Sequence, residues 1–192
     1  MSGLDFCFKY IDDTLVFSRS IVEHIEHFRI ILKGLNDYGL LINAQKSTFD
    51  AITVSFLGYQ VSEHGTSPLP DRIIVLRAYK HLAFIKDVSR FLGLINFYRR
   101  LILHAAEHQA LLHNARSRLP GNAPFPWTTE LDLAFQAFKD SLADAILLAH
   151  PKPSASFGLF TDTSAHSVGA CLQKHINGYW HTLAFFSKKL SH

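Results

Sequence analysis

One stretch decides how the first part of this chain folds: Phe6-Cys7-Phe8-Lys9-Tyr10-Ile11-Asp12-Asp13-Thr14-Leu15-Val16-Phe17-Ser18. Aromatic and β-branched residues are frequent on both sides of its acidic pair, and such residues favour strands. The pattern therefore predicts a β-hairpin with Asp12 and Asp13 at its tip. Two adjacent carboxylates repel each other, so the tip either lies in solvent or holds a cation. A plain turn is the simpler interpretation, because Asp is a common turn former.

Composition limits the class of protein. The chain has 192 residues, of which 48% are hydrophobic and 18% charged, which is typical of a globular protein of one domain or two small ones. No apolar run approaches the roughly 20 residues that span a bilayer, and the first residues are no signal peptide. We therefore expect an intracellular protein, cytoplasmic or nuclear, without a membrane partner. The net charge of +3 suits nucleic acid without requiring it.

Helical periodicity follows the hairpin. Ser20 is placed to cap a helix, Glu23 to complete a capping box, and Gly39 to end the helix. We expect its apolar stripe to lie in the core, because a helix that covers a sheet needs one. The stripe consists of Ile21, Ile25, Phe28, Leu32 and Leu35. A second hairpin-like apolar pair follows at residues 54–61.

Two further helical regions are predicted, one beginning at Asp71 and one capped by Asp87. The apolar face of the second consists of Val88, Phe91, Leu92 and Ile95. This helix ends at Asn96-Phe97-Tyr98-Arg99-Arg100. Aromatic side chains followed by two arginines suit contact with a phosphate backbone. Two solvated arginines beside core aromatics are an equally good interpretation.

The last third of the chain alternates breakers with strands. Residues 114–127 are predicted to be a linker and residues 151–153 a second one, and Thr128 or Thr129 begins a helix between them. Three strands then form an antiparallel meander, with a hairpin turn at Asn177-Gly178. These strands lie at residues 157–162, 167–173 and 179–187. No helix follows them, so we expect neither face of the meander to be covered and the meander to be the least stable part of the chain.

Several motifs are collinear with the acidic hairpin. In the first two thirds they are Lys46-Ser47-Thr48-Phe49, Phe56-Leu57-Gly58-Tyr59, Gly65 to Pro70, Phe91-Leu92-Gly93-Leu94, Phe97-Tyr98-Arg99-Arg100 and Phe125-Pro126-Trp127. In the last third they are Thr161-Asp162-Thr163-Ser164, Gly169-Ala170-Cys171-Leu172-Gln173 and Ala184-Phe185-Phe186-Ser187. Together with Tyr10-Ile11-Asp12-Asp13, this series resembles the pol polyprotein of gypsy-class LTR retrotransposons.

The resemblance implies an α+β fold: a truncated reverse-transcriptase palm with a helical thumb, followed by an incomplete RNase H-like β-meander. The implied segments are residues 1–67 for the C-terminal part of the palm, 68–113 for the thumb, 114–153 for a connection and 154–192 for the first RNase H strands. In the full-length family the activity is RNA-directed DNA synthesis with RNase H cleavage, by two-metal phosphoryl transfer with Mg²⁺. The implied partners are a primer–template or RNA/DNA hybrid and deoxynucleotides.

The resemblance also implies roles for single residues. Asp12 matches the metal-binding aspartate of the palm, Asp13 its acidic neighbour, and Asp162 the first RNase H carboxylate; these are the candidate catalytic residues and metal ligands. The implied nucleotide or primer contacts are Tyr10, Lys46, Phe56, Leu57, Gly58 and Tyr59. The candidate nucleic-acid contacts are Lys86, Tyr98, Arg99 and Arg100.

Each acid set is partial within this chain. In the family the polymerase takes an Asp from a motif upstream of the hairpin, and RNase H takes a Glu and further Asp residues after the meander. We therefore expect weak Mg²⁺ binding and an inactive isolated chain. Two interpretations remain: a fragment of the polymerase with RNase H, and a co-opted, non-catalytic module that binds nucleic acid or protein. A decayed insertion is a third, which the intact hydrophobic patterning disfavours.

Overall fold

The computed structural model describes residues 3–79, 82–117, 119–143, 145, 147–165 and 167–190. The chain divides into two compact units, Met1–Ala51 and Ile52–His192. Helices and antiparallel sheets occur in both parts of the chain, which confirms the predicted α+β class. Among the described helices, none is long and apolar enough to cross a membrane.

The first unit consists of a hairpin and one long helix. Strand β1 (Cys7–Tyr10) pairs with β2 (Asp13–Val16), so that Tyr10 lies opposite Asp13. Ile11 in the turn has a φ of +51°. Helix α1 (Ile21–Asp37) and a 3₁₀ turn (Ala44–Lys46) follow. The predicted hairpin with its acidic tip is confirmed.

Helix α1 differs from its prediction in two respects. The predicted apolar stripe is not buried in this unit, because Ile21 is 55% and Ile25 48% exposed. The start of the helix is capped by Ser20, whose hydroxyl accepts a hydrogen bond from the Glu23 amide. The Glu23 carboxylate, however, accepts from the amide of Arg19 and not from that of Ser20, so the capping box is not closed.

A three-stranded antiparallel sheet opens the second unit. Its strands, in spatial order, are β3 (Thr53–Phe56), β4 (Tyr59–Ser62) and β5 (Gly65–Pro68). The β3–β4 turn has positive φ at Leu57 (+47°) and Gly58 (+80°), as a two-residue type I′ turn requires. The hairpin was predicted from the apolar pattern, whereas β5 was not.

The helices of the second unit share one core. They are α2 (Pro70–Arg77), α3 (Ile85–Tyr98), a 3₁₀ turn (Arg99–Leu101), α4 (Ala105–Arg116) and α5 (Thr129–Ala143). The predicted apolar face of α3 is confirmed, since its four members are at most 2% exposed. Asp87 is the third residue of α3 and not its cap, and its carboxylate accepts from the Phe84 amide.

The segment predicted as a linker at residues 114–127 needs correction. Helix α4 extends into it as far as Arg116. Phe125 is 5% exposed within the common core. The indole nitrogen of Trp127 donates to the Leu82 carbonyl oxygen at 2.7 Å. The prolines and the glycine of this segment therefore belong to a connection that packs on the core, and the segment is not a flexible linker.

The predicted three-stranded meander is confirmed, but the prediction that neither of its faces is covered is wrong. Its strands are β6 (Ser156–Thr163), β7 (Ser167–Ile176) and β8 (Tyr179–Lys189). Leu183, Phe185 and Ser187 of β8 are buried, and the amide of Ala106 in α4 donates to Ser187 Oγ at 3.0 Å. The helix that covers this face, α4, precedes the meander in the chain.

The residues just before the predicted linker at Pro151-Lys152-Pro153 connect the two sheets of this unit by backbone hydrogen bonds. Thr66 of β5 and Leu148 exchange both backbone hydrogen bonds, at 2.8 and 2.9 Å. The next amide, of Ala149, donates to the Thr182 carbonyl oxygen of β8 at 2.8 Å. We call residues 148–150 the strap, because this short segment bonds to β5 and to β8.

Candidate functional site

The acidic pair lies at the tip of the first hairpin. Asp12 is in the turn, Asp13 begins β2, and both are exposed. Carboxylate oxygens are the ligands that Mg²⁺ prefers, so the donor chemistry fits a hard divalent cation. Within the described residues, no group of three or more His, Cys, Asp or Glu side chains is placed to hold a metal ion. The hairpin therefore supplies part of such a ligand set.

Two histidines fix this hairpin to α1. The ring of His27 stacks on Phe6 with centroids 3.7 Å apart. The hydroxyl of Ser18 lies 3.0 Å from Nδ1 of His24 and 2.8 Å from Nδ1 of His27. Nδ1 of His27 also lies 3.3 Å from the carbonyl oxygen of Phe17, so the two histidine rings and the Ser18 hydroxyl form one hydrogen-bonded group between the hairpin and α1. Polar side chains thus occupy the inner face of α1, which the apolar pattern did not reveal.

The other predicted residues of the first unit lie on separate elements. Tyr10 ends β1 beside the acidic tip and is 52% exposed. Lys46 ends the 3₁₀ turn, which is capped by the side chain of Asn43. The structure places Tyr10 on the same hairpin as the two aspartates.

In the second unit, the β3–β4 turn is held by the last turn of α3. The hydroxyl of Tyr98 donates to the carbonyl oxygen of Gly58 at 2.9 Å, and that of Tyr59 donates to the carbonyl oxygen of Phe97 at 2.7 Å. The ring of Tyr59 stacks on Phe97 with centroids 5.0 Å apart. A Cβ on Gly58 would lie 3.0 Å from the Phe97 ring, so the turn and the helix are in close contact.

Two arginines flank this aromatic cluster. Burial raises the pKa of Tyr59, and the charge of Arg100 opposes that rise. Burial likewise raises the pKa of Tyr98, against the charge of Arg72. Both hydroxyls therefore remain protonated hydrogen-bond donors at neutral pH. Among the described residues, neither arginine has an ion-pair partner.

The predicted basic residues do not form one cluster. Lys86 lies at the start of α3, whereas Arg99 and Arg100 follow its end. Those ends are about 20 Å apart, at 1.5 Å per helical residue. Arg72, which sequence reasoning missed, lies near the Arg100 end. Tyr59 pairs with Pro68 across β4 and β5, and this pairing brings the start of α2, with Arg72, close to the end of α3. Only a prediction of β5 could have shown that Arg72 lies at this end.

Asp162 belongs to the second unit and is exposed on β6. Its carboxylate accepts a hydrogen bond from the amide of Thr163 at 2.9 Å. It lies in one cross-strand row with Gly169 and Ser187, and hence on the sheet face that α4 covers. In the part of the chain that the structure describes, it belongs to no group of three or more His, Cys, Asp or Glu side chains placed to hold a metal ion.

Comparison with known families defines the class of protein. Residues 4–61 match the family model described as reverse transcriptase (RNA-dependent DNA polymerase). Residues 127–192 match the RNase H-like domain found in reverse transcriptase. The chain therefore carries reverse-transcriptase sequence followed by RNase H-like sequence of the reverse-transcriptase type.

The similar proteins include transposon polyproteins of Schizosaccharomyces pombe. The Tf2-3 polyprotein is 32% and the Tf2-7 polyprotein 31% identical over 183 residues, which are 95% of this chain and 14% of each relative. The chain thus spans about a seventh of the length of these relatives. The predicted resemblance to retrotransposon pol polyproteins is confirmed.

The fold is also that of solved reverse transcriptases. The foamy viral protease-reverse transcriptase in complex with dsDNA has a TM-score of 0.84 and 20% identity, covering 98% of this chain and 39% of that one. The same viral protein in complex with an RNA/DNA hybrid also has a TM-score of 0.84, covering 96% of this chain and 25% of that one. These similarities confirm the predicted fold.

Proposed function

We propose that this chain binds the sugar–phosphate backbone of a nucleic-acid duplex, either a primer–template or an RNA/DNA hybrid. The binding surface consists of the β3–β4 turn, the exposed side of α3, the 3₁₀ turn after it and Arg72. The observation that carries the proposal is the convergence of Arg72 and Arg100 on a turn that Tyr59 and Tyr98 hold in place. Guanidinium groups suit phosphate, because their fixed N–H donors match its oxygens. The solved relatives of this fold with dsDNA and with hybrid support it.

Within this proposal, the segments keep their predicted roles: residues 1–67 belong to a palm, 68–113 to a thumb, 114–153 to a connection and 154–192 to the start of an RNase H domain. Nucleotide addition and hybrid cleavage are then activities of a longer polyprotein of the gypsy class. There Asp12 and Asp13 would hold part of a Mg²⁺ site, and Asp162 part of another. Bound Mg²⁺ would neutralise charge on the transferring phosphoryl group.

The remaining predicted contacts follow from the same proposal. Tyr10 and Lys46 would face the incoming deoxynucleotide, whose phosphates suit the lysine charge. The turn from Phe56 to Tyr59 would contact the primer strand. A co-opted, non-catalytic module that binds nucleic acid or protein is the second candidate function. A co-opted module that binds nucleic acid would use the same duplex-binding surface.

Replacing Arg99 and Arg100 with Ala together will weaken duplex binding and make it less sensitive to salt. Each phosphate contact contributes about 0.7 to 0.9 to the slope of log affinity against log salt concentration, because counterions are released on binding. The slope will therefore become shallower by about one to two. Fluorescence anisotropy of a labelled RNA/DNA hybrid, titrated at several salt concentrations, measures both quantities.

A matched control for this variant removes the same charge elsewhere. Arg77 ends α2 and Lys152 lies in the segment before β6, and both are exposed. The Arg77→Ala/Lys152→Ala variant is expected to keep most of the affinity and most of the slope. Equal losses in the two variants would show that binding follows net charge alone and would contradict the proposed surface.

Gly93→Ala will stabilise the protein and yet weaken duplex binding. Gly93 lies inside α3 and is exposed, and a Cβ added to it would meet no atom within 4 Å. Alanine in a helix interior is more stable than glycine by about 0.5–1 kcal/mol. Gly93 lies one turn before Phe97, which is 48% exposed, so bare backbone at this position lets a duplex approach closely.

Thermal unfolding and anisotropy on the same sample separate the two effects of Gly93→Ala. Gly34→Ala in α1 is the matched control, because that glycine is also helical and also has open space around its Cβ position. The control should gain stability without losing affinity. Unchanged affinity in Gly93→Ala would remove α3 from the proposed surface.

A further inference from the structure

We infer that Tyr59 and Tyr98 form a reciprocal latch that positions the β3–β4 turn and the arginine-bearing turn after α3 as one surface. The inference rests on the proposed duplex binding and assigns these two hydroxyls a positioning role in it. Each tyrosine donates to a backbone carbonyl oxygen of the other's element: Tyr98 to Gly58 at 2.9 Å, and Tyr59 to Phe97 at 2.7 Å. We call this pair of hydrogen bonds the tyrosine latch.

The tyrosine latch holds a turn whose backbone is strained. Leu57 has a φ of +47°, and this left-handed conformation costs a residue with a side chain about 1–2 kcal/mol. The flanking strands β3 and β4 have only four residues each, so the hairpin alone is marginal. Strained backbone persists where its surroundings hold it in place, and such sites are often functional. Here the Tyr98 hydroxyl bonds directly to the next residue of the turn, Gly58.

The other end of the tyrosine latch lies at the last turn of α3. The carbonyl group of Phe97 is one of the last four of α3, and these have no partner within a helix. The Tyr59 hydroxyl satisfies it. The 3₁₀ turn that carries Arg99 and Arg100 begins two residues later. The latch therefore fixes the end of α3 from which these arginines project, as well as the β3–β4 turn.

Aromatic rings pack against one another between the two hydroxyl bonds. The Tyr59 ring stacks on Phe97 and meets Tyr98 edge-on, with centroids 5.0 and 5.5 Å apart. The rings bring the elements together, while only the hydroxyls bond to the turn carbonyl and to the helix carbonyl. Replacing tyrosine with phenylalanine thus keeps the rings and releases the latch. A surface held in its binding conformation before the ligand arrives loses less entropy on binding.

The test uses Tyr59→Phe, Tyr98→Phe and the double variant of the 192-residue chain, with a labelled RNA/DNA hybrid as the probe. Each single variant should bind the hybrid about three- to tenfold more weakly, the equivalent of one hydrogen bond. The loss of affinity in the double variant should be smaller than the product of the two single-variant losses, because removing either hydroxyl already frees the same turn. The slope of affinity against salt should not change, since no phosphate contact is removed. Hydrogen exchange of the β3–β4 turn in the free protein should become faster.

Tyr79→Phe is the matched control. Its ring packs on Phe91 in the core, with centroids 5.5 Å apart, and it should leave hybrid affinity unchanged. Failure of the wild-type chain to bind any duplex would overturn the proposed function and the latch with it. Wild-type binding with unchanged affinity of Tyr98→Phe would overturn the latch alone. A lower melting temperature of Tyr59→Phe or Tyr98→Phe, with unchanged affinity of the folded protein for the hybrid, would likewise contradict the latch. It would show that the tyrosine hydroxyls contribute only to stability.

Discussion

Gly65→Ala will destabilise the second unit by about 2–4 kcal/mol, through steric overlap and backbone strain combined. Gly65 has a φ of +151°, and a Cβ there would overlap the carbonyl group of Leu148 in the strap. That carbonyl oxygen accepts the amide of Thr66, so neither backbone can move away without breaking their bridge. Urea unfolding followed by tryptophan fluorescence reports on this unit, because Trp127 and Trp180 are the only tryptophans of the sequence.

The control for this variant is Gly121→Ala, whose Cβ would meet no atom within 4 Å. It should leave the unfolding midpoint nearly unchanged. Since the strap also bonds to Thr182 of β8, Gly65→Ala should in addition speed hydrogen exchange in the meander. Equal midpoints for Gly65→Ala and Gly121→Ala would show that the strap shifts freely and does not tie the two sheets.

The elements that were predicted correctly are those whose signal is local. The β1–β2 hairpin follows from two short strand-like runs around an acidic pair, and the meander from alternating apolar residues with Asn177-Gly178 between two of its strands. The inner face of α3 follows from helical spacing alone. In each case the residues that define the element are also those that it buries or pairs.

The elements that were missed depend on partners distant in sequence. Strand β5 has the sequence Gly65-Thr66-Ser67-Pro68, which shows no apolar alternation, and it is fixed by β4 on one side and by Leu148 on the other. The cover of the meander by α4 joins Ala106 to Ser187. No local sequence pattern indicates such contacts. The order of elements along the chain therefore led to the wrong prediction that neither face of the meander is covered.

The candidate-site residues likewise divide into those that a local pattern predicted and those that it missed. The acidic tip with Asp12 and Asp13 was found because both carboxylates lie on one turn. The tyrosine latch and Arg72 were missed because they assemble from β4, α2 and the end of α3. Lys86 was selected for its charge, but its ammonium group lies 5.2 Å from the centroid of the Phe84 ring, at the other end of α3. Charge alone does not predict where a basic side chain lies.

The 192-residue chain will not extend a primer with Mg²⁺ or Mn²⁺ and all four deoxynucleotides. Two-metal phosphoryl transfer needs carboxylates from more than one strand, and the hairpin offers Asp12 and Asp13 from adjacent positions. The described residues contain no group of three acidic, histidine or cysteine side chains that could complete a metal site. Most of the catalysis in this reaction is positioning and electrostatic stabilisation, so a partial ligand set is not expected to retain a measurable share of it.

A gel assay with a labelled primer on an RNA template measures this, beside a variant with Asp12→Asn and Asp13→Asn. Both proteins should give product at the background level while the wild-type chain still binds the primer–template. Binding without extension is the result expected of a polymerase fragment and of a module that binds nucleic acid. Extension by the wild-type chain above the Asn variant would show that the two carboxylates at the hairpin tip suffice to hold the metal ions. The proposal of a partial polymerase site would then be wrong. The hairpin would instead form a minimal polymerase site, in which water and substrate phosphates supply the remaining Mg²⁺ ligands.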